Sequence, residues 1–591
     1  MNTQKQSSMK EIIVEQLRPK MISLFWKAAE GGKDMMMDGV WVYNEKAQFT
    51  GGKAIGMGCR VVLEFLKGTP DEEKGIRGLK QLIETVADLK METWGILNAI
   101  TGLYGLKKAG ILSLAADEKM QNFLKEKLDW RTFVDVNRDY ALINKPTNYY
   151  GVAFGIARYR ELLGWEEEGS SQILLNRLMT HIDRYSGTLG YMDETAGSGR
   201  FDRYSILIPG EIASLLMGTG MEVPEKIRQM LRRSVDIFLM LADEEGCGFS
   251  YGRSIGAYGD TAPLEVLSAA VEAGGIFSGR ERELAYAYSV RLMEQMLNFW
   301  YDQEMGSINM WEKGRRTDQY RNKNRILGEN MSLFMQVLNS YEHWRRCGLG
   351  DERAADDYTE LLKALPSHKL IRFAEKPYPR ALAIVRDGGA VWSLPIINGG
   401  RGYYKKDAYL PGVYANGLIG AVPDESYGAF LPELVLADGR VCAPVSYACQ
   451  VEEKKTKDSY QVIYSQEVLG DMGKEEPEPV EGIRSRTVFS FTPGRVRRED
   501  VFCLDETAEA VQVKLAQGFF SANPQTVKNQ VDFENGRIKK TKTEGYDRCV
   551  VDTALSALDY GTPRGKLETK ISWEGAVKGK KEIRVAWEIE Y

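Results

Sequence analysis

Residues 206–218, ILIPGEIASLLMG, are apolar around almost the whole circumference of a helix, with Glu211 the one charged side chain among them. A helix on a protein surface shows an apolar stripe and a charged face; one that is apolar on most sides has to be enclosed by its neighbours. The run falls short of the ~18 uninterrupted apolar residues of a membrane span, so what encloses it is protein. That reading makes 206–218 an inner helix of a two-layered helical assembly.

On either side of this segment, apolar residues recur at helical spacing from the N-terminus to about residue 365. Clear examples are GKAIGMGCRVVLEFLKG (52–68), WGILNAITGLYGLKKAG (94–110), PEKIRQMLRRSVDIFLMLAD (224–243) and NMSLFMQVLNSYEHWRRC (330–347). About a dozen such segments follow one another with no strand-like alternation between them. No fixed-period repeat is visible, which excludes a consensus TPR or HEAT array. Unlike helices in antiparallel pairs close instead into an (α/α) toroid.

After LPSHKLIRFAEKPYPR (365–380) the texture changes. ALAIVRDGGAVWSLPI, SYQVIYSQEVL, SRTVFSFTPGRVRREDVFCL and EIRVAWEIEY are short, rich in β-branched and aromatic residues, and broken by turn residues. These predict a large antiparallel β-sandwich, with the acidic GDMGKEEPEPVEG (470–482) as an exposed loop. The expected organisation is multidomain, α then β: a toroid over 1–365 and a sandwich over 366–591. A chain of 591 residues exceeds one compact core.

Composition narrows the function classes. The 43% hydrophobic and 27% charged content is that of a globular protein. A net charge of −5 lacks the basic excess of a nucleic-acid binder. No apolar run suits a membrane span or a secretory signal, so a cytoplasmic location is expected. The seven cysteines are scattered without metal or redox spacing. The three histidines, His181, His343 and His368, fall in helical stretches or near the linker and read as structural. Neither a metal nor an organic cofactor is expected, since none of the recognised motifs for either occurs.

Four segments of the helical half concentrate polar and aromatic groups at helix starts, the ends that an inner ring presents to a central cleft. NKPTNYYGVAFG (144–155) places Asn148, Tyr149 and Tyr150 in a first turn. GYMDETAGSGRFDRYSILIPGEIA (190–213) delivers Arg200, Asp202, Arg203 and Tyr204 to the head of the apolar helix, with Asp202 a ready N-cap. GCGFSYGRSIGAYGD (246–260) carries Tyr251, Arg253 and Tyr258 ahead of Asp260, read as the start of the next helix. Its glycines allow close backbone approach to a ligand, and arginine offers a planar fork matched to a carboxylate. NMWEKGRRTDQYRNKNRILGEN (309–330) sets Arg315, Arg316, Arg321, Lys323 and Arg325 near Trp311 and Tyr320. In the second half, NGGRGYYKKDAYLPGVYANG (398–417) repeats the mixture with Arg401, Tyr403 and Tyr404, placed to cover the cleft. Aromatic faces among cations suit an anionic sugar.

The toroid-plus-sandwich order, with NYYGVAFG, GRFDRYSILIPGEIA and YGRSIGAYGD, resembles the polysaccharide lyases of the heparinase II/III and alginate-lyase type. That resemblance implies β-elimination at a uronic acid within an acidic oligo- or polysaccharide. It implies Asn148 as the group that neutralises the substrate carboxylate, Tyr204 as acid/base, Arg253 as carboxylate binder and Tyr258 as reserve tyrosine. Such lyases often set a histidine beside the asparagine; here Tyr149 occupies that place. A tyrosine with an ordinary pKa near 10 needs cations to act as a base, and Arg200, Arg203 and Arg253 are the expected ones. Two rivals stand beside this reading. One is a toroid-type glycoside hydrolase using two carboxylates about 5–9.5 Å apart, drawn from Asp193, Glu194, Asp202, Glu211 and Asp260. The other is a non-catalytic carbohydrate-binding protein.

Overall fold

The computed structural model describes residues 7–145, 148–186, 189–194, 199–317, 321–398, 409–420, 430–474 and 478–591. Among them, twelve α-helices have ten residues or more. They are α1 Arg18–Glu30, α2 Thr50–Val61, α3 Glu72–Val86, α4 Thr93–Lys108, α5 Glu118–Lys127 and α6 Tyr149–Leu163. The series continues with α7 Gln172–Tyr185, α8 Arg203–Gly218, α9 Glu225–Leu241, α10 Ala257–Ala273, α11 Glu281–Gln295 and α12 Ile326–Arg346.

The even-numbered helices form an inner ring. Packing runs from α2 to α4 to α6 to α8 to α10 to α12, and α12 returns to α2. The odd-numbered helices lie outside, and composition explains the division. In α10 only Glu265 and the last three residues escape full burial. By contrast α9 turns Glu225, Arg228 and Arg232 outward and buries Ile227, Leu231, Val235 and Phe238. Each inner helix is preceded by an outer one that runs the other way, so the six inner N-termini open onto one mouth. None of the described helices is long and apolar enough to cross a membrane.

The last helical turn, Tyr358–Lys363, is followed by the strand His368–Ala374, and from there the described chain is β-structure and loops. A three-stranded antiparallel sheet (368–396) is followed by two eight-stranded sheets. Their facing sides bury Phe430, Phe489, Phe519, Trp573 and Trp587. The acidic stretch 470–482 is not a free loop: Leu469 pairs with Val480 and Gly470 with Pro479, making an edge hairpin.

The helix expected to begin after Asp260 begins at Ala257, three residues before Asp260, with Gly256 ahead of it. The joint that precedes it folds back onto its first turn. Phe249 N–H donates to the Gly259 carbonyl at 3.1 Å, and Gly248 N–H donates to Asp260 Oδ1 at 2.8 Å. Approach this close leaves no room for a side chain, since a Cβ on Gly248 would stand 2.0 Å from the Gly259 carbonyl oxygen. Gly248→Ala is expected to destabilise the protein by at least about 2 kcal/mol, because both clashing partners are backbone. Denaturant unfolding of the two proteins measures it.

Candidate active site

Tyr204 occupies the first turn of α8, where the Asp202 carboxylate caps the helix by accepting the Tyr204 N–H at 2.9 Å. The cap aims the phenol into the mouth. Its oxygen accepts from Arg321 Nη2 at 2.8 Å and shares a hydrogen bond with Ser254 Oγ, also at 2.8 Å. The guanidinium of Arg253 lies 4.1 Å from the ring centre and that of Arg203 4.4 Å from it. One donor at the oxygen and two further cations over the ring stabilise negative charge on that oxygen.

Arg253 is itself held. It pairs with Glu194 and lies 3.4 Å from Asp202 Oδ2, both carboxylates fully buried. Its Nη2 and Nε face these protein carboxylates, and its guanidinium lies over the Tyr204 ring. Arg200 faces the same two carboxylates at 3.5 and 4.0 Å. Tyr409, from the β half, donates its hydroxyl to Asp202, so the second half helps to fix the cap. Gly252, at φ +83°, makes room for this: a Cβ there would stand 2.7 Å from the Asp202 Cβ. Burial holds the Asp202 carboxyl above its ordinary range, with Arg200 the largest opposing influence.

Asn148 is buried just ahead of α6, yet its side chain caps nothing, and its Oδ1 has no hydrogen-bond partner among the described residues. Buried polar groups are nearly always paired, and this oxygen is an exception among the described residues. Its neighbour Tyr149 is within electrostatic reach of Tyr204 and Arg253, and burial pushes its phenol up.

Glu329, in the first turn of α12, is fully buried and organises the other side of the mouth. Tyr258 donates its hydroxyl to Oε2, Arg321 Nη1 lies 3.1 Å from the same oxygen, and Arg325 Nε lies 3.0 Å from Oε1. Burial alone would raise its pKa, but Lys53, Arg321, Arg325 and the Tyr258 hydrogen bond hold the carboxyl down at about 2. Arg321 thus bridges Glu329 and Tyr204. Tyr258, the expected reserve tyrosine, is the donor in that hydrogen bond, and burial and the Glu329 charge push its phenol up.

Several expected site residues are engaged by other parts of the protein. Tyr251 is fully buried and hydrogen-bonded to the Phe201 carbonyl. Tyr150 packs against His181. Asp260 takes Arg564, Trp300 and Gly248 as donors and joins the two halves. Arg316 reaches the carbonyls of Leu558 and Asp559 in the β half. Trp311 supports the site indirectly by donating to the Arg321 carbonyl. Arg203 spends its Nε on the Tyr258 carbonyl at 2.8 Å. Tyr320, Arg401, Tyr403 and Tyr404 lie outside the described residues. Among the described residues no group of three or more His, Cys, Asp or Glu side chains is arranged to hold a metal ion.

Glu211 and Glu265 follow Tyr204 and Tyr258 by seven residues, two helical turns deeper on the same faces of α8 and α10. Burial, and for Glu211 its neighbour Glu265, push the two carboxyls up to about 8 and about 7, against the pull of Arg203. The folded state therefore holds protons that the unfolded chain releases above about pH 4.5. Stability from this pair is present at low pH and is lost as pH rises toward 8. Glu211→Gln should flatten the fall in unfolding midpoint between pH 5 and 9; an unchanged slope would assign the fall to other groups.

No protein-family model matches this chain, and no curated protein does. Solved structures do. The chondroitin AC lyase of Streptomyces coelicolor A3 in complex with chondroitin sulphate matches at a TM-score of 0.50 and 11% identity, covering 97% of this chain and 79% of that one. A point variant of that lyase gives 0.50 at 10% identity with the same coverage. A mutant heparan sulfate lyase from Pedobacter heparinus, at 10% identity over 88% and 75% of the two chains, reaches only 0.33. The likeness at these identities is one of fold: a helical ring followed by a β-sheet domain.

Proposed function

We propose that the protein is a lyase that cleaves uronic-acid-containing glycans by β-elimination, with Tyr204 as acid/base. The observation that carries the reading is the Tyr204 oxygen, which accepts from Arg321 while Arg203 and Arg253 lie over its ring. The fold shared with a chondroitin AC lyase supports it.

The uronate carboxylate accepts from the Asn148 side-chain N–H and lies at the positive ends of the inner helices. Neutralising that charge acidifies the proton on C5. The Tyr204 oxygen, as phenolate, takes the C5 proton. The C4–O bond breaks, the double bond forms between C4 and C5, and Tyr204 returns the proton to the departing glycosidic oxygen. No water is consumed. Ser254 and Arg321 hold the phenol through both transfers.

Hydrolysis fits the site less well. It needs one carboxylic acid and one carboxylate poised across the bond, whereas Glu194, Asp202 and Glu329 are fully buried and each is tied to arginine or tyrosine. The test is a panel of uronate glycans followed in the near ultraviolet. The proposal predicts a rising absorbance from the conjugated unsaturated uronyl product on at least one of them. New reducing ends without that absorbance would convict the hydrolase reading.

A further inference from the structure

Lys53 lies in the first turn of α2, and no step above uses it. Its stem packs over Gly328 at the head of α12, where a Cβ would stand 3.4 Å from the Lys53 Cδ. The residue is only 6% exposed, and among the described residues no hydrogen bond or ion pair involves its ammonium. The centre of the Phe49 ring lies 5.8 Å from it. It stands within electrostatic reach of Arg321, Arg325 and Glu329. Glu329 is the carboxylate that faces it, and that carboxylate also engages Tyr258, Arg321 and Arg325. Among the described residues three cations therefore surround one carboxylate, at a mouth where the N-termini of α2 and α12 add positive potential of their own. Lys53 shares its one facing carboxylate with two arginines, and a buried ammonium so placed is unfavourable unless a further anion joins it.

We propose that Lys53 receives a second oxyanion of the glycan, a sulfate ester or a carboxylate, distinct from the carboxylate beside the bond that is cleaved. Arg321 and Glu329 intervene between Lys53 and Tyr204, so the group at Lys53 belongs to another position on the sugar or to its neighbour. This rests on the lyase reading for its substrate, and it makes the enzyme selective for glycans of higher charge density.

The experiment compares wild type, Lys53→Met and Lys53→Arg. Sulfated against unsulfated chondroitin tests sulfate as the source; polygalacturonate against hyaluronan tests a carboxylate on every sugar. In Lys53→Met the kcat/KM ratio of the more to the less charged partner falls at least tenfold in one of these pairs, and Lys53→Arg restores it. Equal losses on both partners, or no loss, overturn the proposal. Inorganic sulfate supplies a separate arm: it should raise the unfolding midpoint of wild type and not of Lys53→Met, and equal rises overturn the site. Should no glycan yield an unsaturated product while that sulfate difference persists, the lyase reading falls and the oxyanion site stands.

Discussion

Tyr204→Phe is expected to lower kcat for elimination by about a thousandfold, within the range that positioned acid–base groups contribute. The substitution keeps the ring between Arg203 and Arg253, so the stacked arrangement survives. It removes the oxygen that accepts from Arg321 and meets Ser254. Those two groups lose a partner, at a cost of about 1–3 kcal/mol, so the protein remains folded and the loss is chemical. Initial rates of near-ultraviolet product formation, with circular dichroism as the folding control, decide it. A variant within threefold of wild type would remove Tyr204 from the reaction.

The second large effect is on stability. Arg564, from the β half, donates to the fully buried Asp260 of the helical half at 2.6 Å. Asp260 also accepts from Trp300 Nε1 and Gly248 N–H, both at 2.8 Å. Arg564→Ala would leave that carboxylate buried without its cation, which costs about 3–5 kcal/mol. The damage would spread to the joint before α10 and thus to Tyr258. Adding Asp260→Asn should return part of the loss, because the amide buries no charge; the coupling appears in a double-mutant cycle of unfolding free energies. Independent, additive losses would mean that the pair does not hold the halves together.

Helical period is a local property, which is why the ring was legible: the apolar circumference of 206–218 reports burial without knowledge of its neighbours. The same holds for Asp202, whose capping role follows from its place before an apolar run. Asp260 shows the limit. Its position suggested a helix start, but its partner Arg564 lies 304 residues away, and no local signal marks that pairing. Arg253 was legible as a cation and not as one already held by Glu194. Ser254, Lys53, Glu329 and Tyr409 escaped for related reasons. Glu329 stands four residues after Arg325, a spacing that reads as an ordinary helix-face pair. Tyr409 reaches Asp202 from the other half of the chain. Arg321 was visible within a basic loop, where solvation is the ordinary fate of an arginine; only the fold brings it to the Tyr204 oxygen.

The pocket chemistry rests on Tyr204 moving one proton from carbon to oxygen with no water entering the bond. Mass spectrometry of a purified oligosaccharide cut once by the enzyme reads this directly. Elimination yields two fragments whose masses sum to that of the parent. Fragments that together exceed the parent by one water would contradict the account.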